Sequence, residues 1–327
     1  MPRSQVAVAV LGTGMMGPGI ATSLALAGHP TSLWGRSPES AARGQAGLDR
    51  CLEALASGGL ITSRQAAAAR RRLRVTDDLA TAVSGADLVF ESVAEDLGAK
   101  RRLFGELEDL VSPSAVLASN TSGLPISRIA DGLEHPERAA TAHFWNPPHL
   151  MPLVEVVKGE RTSEATLERL RTALAGAGKQ VVIVHKDVPG QLGNRLQHAL
   201  FREAFHIIEE GIASVEDVDR AIKFGPGLRF PAYGLLEHAD MVGLDLMIAI
   251  EGYLFAALSA SPEAPRLLED LVAQGHLGAK TGHGLYDWTV RCAADVLARR
   301  DQFVLERLKE ARRRQRHHTP RRQRTSS

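Results

Sequence analysis

The stretch QVAVAVLGTGMMGPGIATSLALAGH, residues 5–29, constrains this chain more than any other. An apolar run ends in Gly12-x-Gly14-x-x-Gly17 and passes at once into a helix-compatible segment. That order reads as strand, tight turn and helix. Gly12 permits the turn, Gly14 leaves the backbone open to a pyrophosphate, and Gly17 lets helix and strand pack closely. Free amides at a helix start attract phosphate. Gly12, Gly14 and Gly17, with Met15 and Met16 between them, are therefore read as a dinucleotide cradle.

Beyond this turn the chain has the rhythm of an α/β domain. The runs TSLWG, ADLVFESV, SAVLASN, RAATAHF, LVEVVKG and QVVIVH read as further strands, and CLEALASGG, RQAAAARRRL and KRRLFGELEDLV read as helices. Strands that alternate with helices imply a parallel sheet with crossover connections. The insertion before ADLVF reads as a helical hairpin. From about Pro189 the strand-like runs stop. NRLQHALFREAFHIIEEG places Leu196, Leu200, Phe205, Ile208 and Ile212 at helical spacing, and Ser214 with Asp217 three residues on is an N-terminal cap signal. The expected division is a Rossmann-type domain over 1–187, an all-α domain over 188–290, and a helical extension with a basic, disordered tail over 291–327.

Several function classes are set aside by composition. No stretch approaches eighteen uninterrupted apolar residues, so no membrane-spanning helix is expected. The opening residues lack a cleavage pattern, and Cys51 and Cys292 are too few for a disulfide scaffold or a zinc site. A cytoplasmic protein without a bound metal is expected. Seven of the 39 basic residues lie in the last 17 positions, leaving 32 against 38 acids elsewhere. No aromatic residues interleave with those arginines, so no specific nucleic-acid partner is expected.

Two further places carry chemistry. In TSLWGRSPES the second strand ends at Gly35, where a dinucleotide site for NAD usually has an acid for the ribose hydroxyls. Arg36 and Ser37 come next and suit a 2′-phosphate, which leaves NADP open beside NAD; Arg36 stacking on adenine or standing in solvent is the alternative. In HFWNPPHLMPLVE, His143 ends one strand and Glu155 lies on the next, across a loop with three prolines. A carboxylate bonded to one imidazole nitrogen leaves the other free to move a substrate proton.

Taken together, VLGTGMMGPGIA, ADLVFESVAEDLGAK, SNTSGLPIS, HFWNPPHLMPLVEVV, DVPGQLGNRL, MVGLD and KTGHGLYDW occur in one order. They resemble the 3-hydroxyacyl-CoA dehydrogenase family over nearly the whole chain, up to about residue 290. The resemblance implies a dinucleotide-binding domain with extra antiparallel strands and a helical domain through which a homodimer forms. It implies His143 as base, Glu155 as its orienting carboxylate, and Ser122 and Asn194 as donors to the substrate oxygen. It also implies NAD contacts at Glu95, Lys100, Asn146 and Lys280.

Three departures from the family pattern bear on the substrate. Gly35 replaces the acid. PAYGLLEHAD stands where PMGPFEL is usual, with Leu236 and Glu237 near the altered pocket wall. His149 lies in the loop over the base, where it could meet a substrate carboxylate. The family includes enzymes of small free acids, such as carnitine, gulonate and pyridine carboxylates, so a free hydroxy acid is the alternative to a 3-hydroxyacyl-CoA. Against it, the arginines of RQAAAARRRLR could hold CoA phosphates. A dinucleotide-binding protein without turnover is the competing class, and Ser122, His143, Glu155 and Asn194 together argue against it.

Overall fold

The computed structural model describes residues 5–318. Two compact units divide the chain: residues up to Gly193 together with those from Ala298, and Asn194–Leu297.

The first unit is built on one eight-stranded sheet: β1 Val8–Leu11, β2 Thr31–Trp34, β3 Leu73–Thr76, β4 Leu88–Glu91, β5 Val116–Ser119, β6 Ala139–Phe144, β7 Leu153–Val157 and β8 Gln180–Val184. Their order across the sheet is 3-2-1-4-5-6-7-8. All pairs are parallel except β6 with β7, the antiparallel addition that the family resemblance implies. β1, β4 and β5 are buried along their whole length. Two apolar layers cover the sheet, one including Ile20, Leu24, Phe90 and Phe144, the other Phe104, Leu107, Leu117 and Ile129. Strands covered on both faces read as continuous apolar runs, which is why the sequence reveals them.

Helix α1 Gly17–Ala27 follows β1, and α2 Pro38–Ser57 and α3 Ser63–Arg70 follow β2. The hairpin expected before ADLVF is α2 with α3, each opened by a capping box, Ser37 with Ser40 and Thr62 with Gln65. β3 comes directly after α3, in sequence that reads as part of the arginine-rich helix.

The second unit consists of helices, including Gly193–Glu209, Val215–Phe224, Leu235–Val242 and Leu244–Leu254. The last helix, Ala293–His318, lies where a helical extension is expected and runs on into the basic stretch. Its Leu305 packs with Leu55, Leu60 and Leu150 of the first unit, and Arg312 donates to the Leu60 carbonyl. Good helix formers carry the turns onward from that anchor. The disorder expected of the tail falls largely on residues 319–327, which lie outside the described residues.

Candidate active site

The glycine turn has the form its spacing implies. Gly12 takes φ +115°, and a Cβ on it would meet the Ser92 carbonyl at 2.3 Å. A Cβ on Gly17 would collide with the Gly12 carbonyl at 1.8 Å, whereas Gly14 has open space around it. α1 begins with no side-chain cap at Met16, so its first amides are left for a ligand. Met16 packs on the core and Met15 is exposed. These residues fit the pyrophosphate of a dinucleotide.

At the end of β2 the structure explains the absent acid. A Cβ on Gly35 would lie 2.6 Å from Ser40 Oγ and 2.7 Å from the Ala41 amide, because α2 starts hard against it. Ser37 is spent as the α2 cap, bonded to the Ser40 amide, and Arg36 is exposed.

The antiparallel pairing sets His143 directly opposite Glu155. Cross-strand neighbours are the closest side chains in a sheet, and His143 Nδ1 lies 2.8 Å from Glu155 Oε2. Burial alone would push the Glu155 carboxyl up. Hydrogen bonds from His143, the Gly193 amide, the Trp145 indole and the Leu192 amide outweigh it and bring the group down to about 2. An ionised carboxylate only accepts, so Nδ1 carries the imidazole proton and Nε2 faces the site. Ser122 Oγ lies 3.3 Å from that Nε2.

The Ser122 loop is held from below. Glu95 Oε1 accepts the amides of Ser122 and Gly123, at 3.1 and 3.2 Å, and the Thr121 hydroxyl. Burial opposes charge on Glu95, but Thr121, Lys100 and the Gly123 amide hold its pKa below the ordinary value. Lys100 exposes 1% of its surface and lies 2.7 Å from Glu91 and 3.3 Å from Glu95. Glu91 also accepts the Ser119 hydroxyl at 2.6 Å. The ammonium holds two carboxylates.

Of the other expected residues, Asn146 is exposed in the loop after β6. Asn194 comes after Gly193 at the start of the helix Gly193–Glu209, and Lys280 lies in an exposed turn; both belong to the second unit. His149 turns to α2, with Nδ1 3.5 Å from Cys51 Sγ.

Similarity to known proteins bears on this geometry. The family model described as 3-hydroxyacyl-CoA dehydrogenase, NAD binding domain, matches residues 7–188, and the C-terminal domain of the same family matches 190–288. The chain belongs to the 3-hydroxyacyl-CoA dehydrogenase family. Among its relatives is a probable 3-hydroxybutyryl-CoA dehydrogenase of Bacillus subtilis, 36% identical over 86% of this chain and 96% of that one. L-carnitine dehydrogenase of Streptomyces griseus is 35% identical over 94% of this chain and 90% of its own. A solved structure of 5-formyl-3-hydroxy-2-methylpyridine 4-carboxylic acid 5-dehydrogenase, an NAD+-dependent dismutase, superposes with a TM-score of 0.86 at 31% identity. It covers 92% of this chain and 97% of that one. With the NAD-binding domain matched and the pyrophosphate turn intact, NAD is this dehydrogenase's cofactor.

Sequence reading missed three supports of the site in this family member. Trp145 donates to Glu155 at 3.0 Å. Asn120 accepts the Phe144 amide at 2.8 Å and so fixes the end of β6. Lys179 donates to the carbonyls of Pro148 and Met151 and pins the proline loop. Asn120 and Trp145 lie inside motifs already singled out, so attention to every polar atom there would have found them. Lys179 carries no such signal.

His149 gives the dehydrogenase an acid-sensitive contact. Burial, with Lys179 and Arg300 adding to it and Asp301 opposing, brings its imidazole from 6.5 down to about 4. Between those values the unfolded chain binds the proton and the folded chain does not. Stability is thus full above pH 6.5 and falls as the pH drops towards 4. Glu155 adds a second loss lower down, between 4.5 and about 2. Thermal melts should decline through the His149 window, and His149→Asn should remove much of that slope; an unaltered slope would contradict an enclosed neutral ring.

Proposed function

We propose that this protein interconverts a 3-hydroxyacyl-CoA and its 3-oxoacyl-CoA with NAD, within fatty acid metabolism. The observation that carries this is the imidazole of His143, oriented by Glu155 at 2.8 Å and presenting its free nitrogen beside Ser122, in a chain matched by both domains of the family. NAD, held at the Gly12–Gly17 turn, would supply the hydride acceptor for the substrate carbon and, in its reduced form, the hydride donor. His143 Nε2 removes the hydroxyl proton in oxidation, and Glu155 stabilises the imidazolium formed. In reduction the same nitrogen protonates the developing alkoxide. Ser122 donates to the substrate oxygen. Glu95 and the Glu91–Lys100 pair hold the Ser122 loop, and Asn146 adds a cofactor contact.

Support for a CoA substrate includes the exposed Arg64, Arg71 and Arg74 around α3, which offer partners for phosphates. A neutral His149 turned to Cys51 offers no cation to a small carboxylate. One observation favours the second reading, a free hydroxy acid: the carnitine enzyme aligns over 94% of this chain, against 86% for the Bacillus subtilis relative. NADH oxidation with acetoacetyl-CoA, set against a panel of free oxo acids, decides between them. Turnover of acetoacetyl-CoA is expected; turnover of a free acid alone would overturn the CoA reading.

The homodimer is proposed through the helical unit. Its helices 235–242 and 244–254 expose Leu236, Met241, Leu244 and Ile248, and bury no residue within one chain. Apolar surface of this kind marks an interface. A cytoplasmic location is proposed from the free thiols of Cys51 and Cys292. No described helix is long and apolar enough to cross a membrane.

A further inference from the structure

We propose that Trp145 is a positioning residue of the dyad, its indole N–H holding Glu155 so that the carboxylate serves His143 and the Leu192 and Gly193 amides together. The inference rests on His143 and Glu155 acting as base and orienting group.

Strand alternation puts His143 and Trp145 on the same face of the chain leaving β6. Glu155 is directly opposite His143, so Trp145 is its diagonal neighbour, at a separation that only a large side chain spans. The indole Nε1 reaches Glu155 Oε2 at 3.0 Å, the same oxygen that faces His143 Nδ1 at 2.8 Å. The other oxygen accepts the amides of Leu192 and Gly193, at 2.9 and 2.7 Å. All four partners donate, and Glu155 has no exposed surface. A buried carboxylate with each oxygen bonded from two directions has no freedom to rotate away from the imidazole.

The indole is itself held in place. A Cβ on Gly193 would lie 2.4 Å from the Trp145 ring, so glycine at 193 makes room for it. The ring therefore joins the β6 end to the backbone that immediately precedes Asn194. A phenylalanine at 145 would fill the same space without the donor, and this separates positioning from packing.

Loss of the donor concentrates charge on Oε2, which then holds the imidazolium more strongly. The test is Trp145→Phe in the full-length enzyme. The ring C–H signal of His143, assigned by its loss in His143→Gln, is followed by NMR through a pH titration. Its midpoint should rise by about half to one pH unit. The acid limb of 3-hydroxybutyryl-CoA oxidation should rise with it, and kcat should fall about fivefold. Trp145→Met, a flexible apolar side chain without a donor, should reproduce the midpoint shift and decides the matter alone if Trp145→Phe does not fold. An unmoved His143 midpoint in the folded variant would overturn the proposal, whatever the enzyme turns over. A moved midpoint in a protein inactive on the CoA substrate would leave the positioning role standing and remove the substrate assignment.

Discussion

Replacing His143 with glutamine lowers kcat by roughly 10²- to 10⁴-fold, the usual contribution of a general acid–base group. Glutamine keeps a hydrogen-bonding side chain at the position but cannot carry a proton between substrate and solvent. His143 is buried and its Nδ1 lies against Glu155, so the residue is more than a surface accessory. The glycine turn and the start of α1 lie elsewhere on the sheet and make no use of it. NADH affinity, measured by fluorescence titration, should accordingly stay within about twofold while turnover collapses. A fall in kcat below tenfold would mean that Ser122 or solvent moves the proton instead.

Lys100→Met should have the largest effect on stability. The ammonium is enclosed between Glu91, which has no exposed surface, and Glu95. Removing it leaves a buried carboxylate with the Ser119 hydroxyl and the Val93 amide as its remaining donors. Breaking a buried pair from one side costs about 3–5 kcal/mol, which for a unit of this size lowers Tm by roughly 6–20 °C. The double variant Glu91→Gln, Lys100→Met leaves no buried charge at Glu91, so most of the loss should return. The sign of that recovery separates charge burial from packing. A Lys100→Met protein as stable as the parent, with NADH affinity lost, would make the lysine a cofactor contact rather than a brace.

The parts of the fold legible from residues alone are those with a local cause. Seven of the eight strands are apolar runs bounded by turn residues, and the glycine turn dictates its own geometry. β3 escaped because Leu73–Thr76 is an edge strand with no fully buried residue, embedded between arginines that favour a helix. The helical extension was legible, but its anchor, Leu305 against Leu55 and Leu60, is a contact across most of the chain that no local signal marks. In the site, His143 and Glu155 were legible because a short loop between two strands forces them together. The Glu95 support of Ser122 joins residues 27 apart through the backbone amide of one of them, and no residue type signals a backbone donor. Lys100, expected at the cofactor, is buried because Glu91 on β4 faces the helix Leu97–Leu110 that carries it.

Whether His143 and Glu155 work as one unit is tested most directly by a double-mutant cycle on kcat, using His143→Gln and Glu155→Gln singly and together. If Glu155 acts by orienting and charging the imidazole, its replacement costs turnover while His143 is present. The predicted result is that Glu155→Gln alone slows turnover, and that the same change made in His143→Gln slows it no further. Full additivity of the two losses would show that Glu155 contributes independently of the imidazole, and would contradict the dyad.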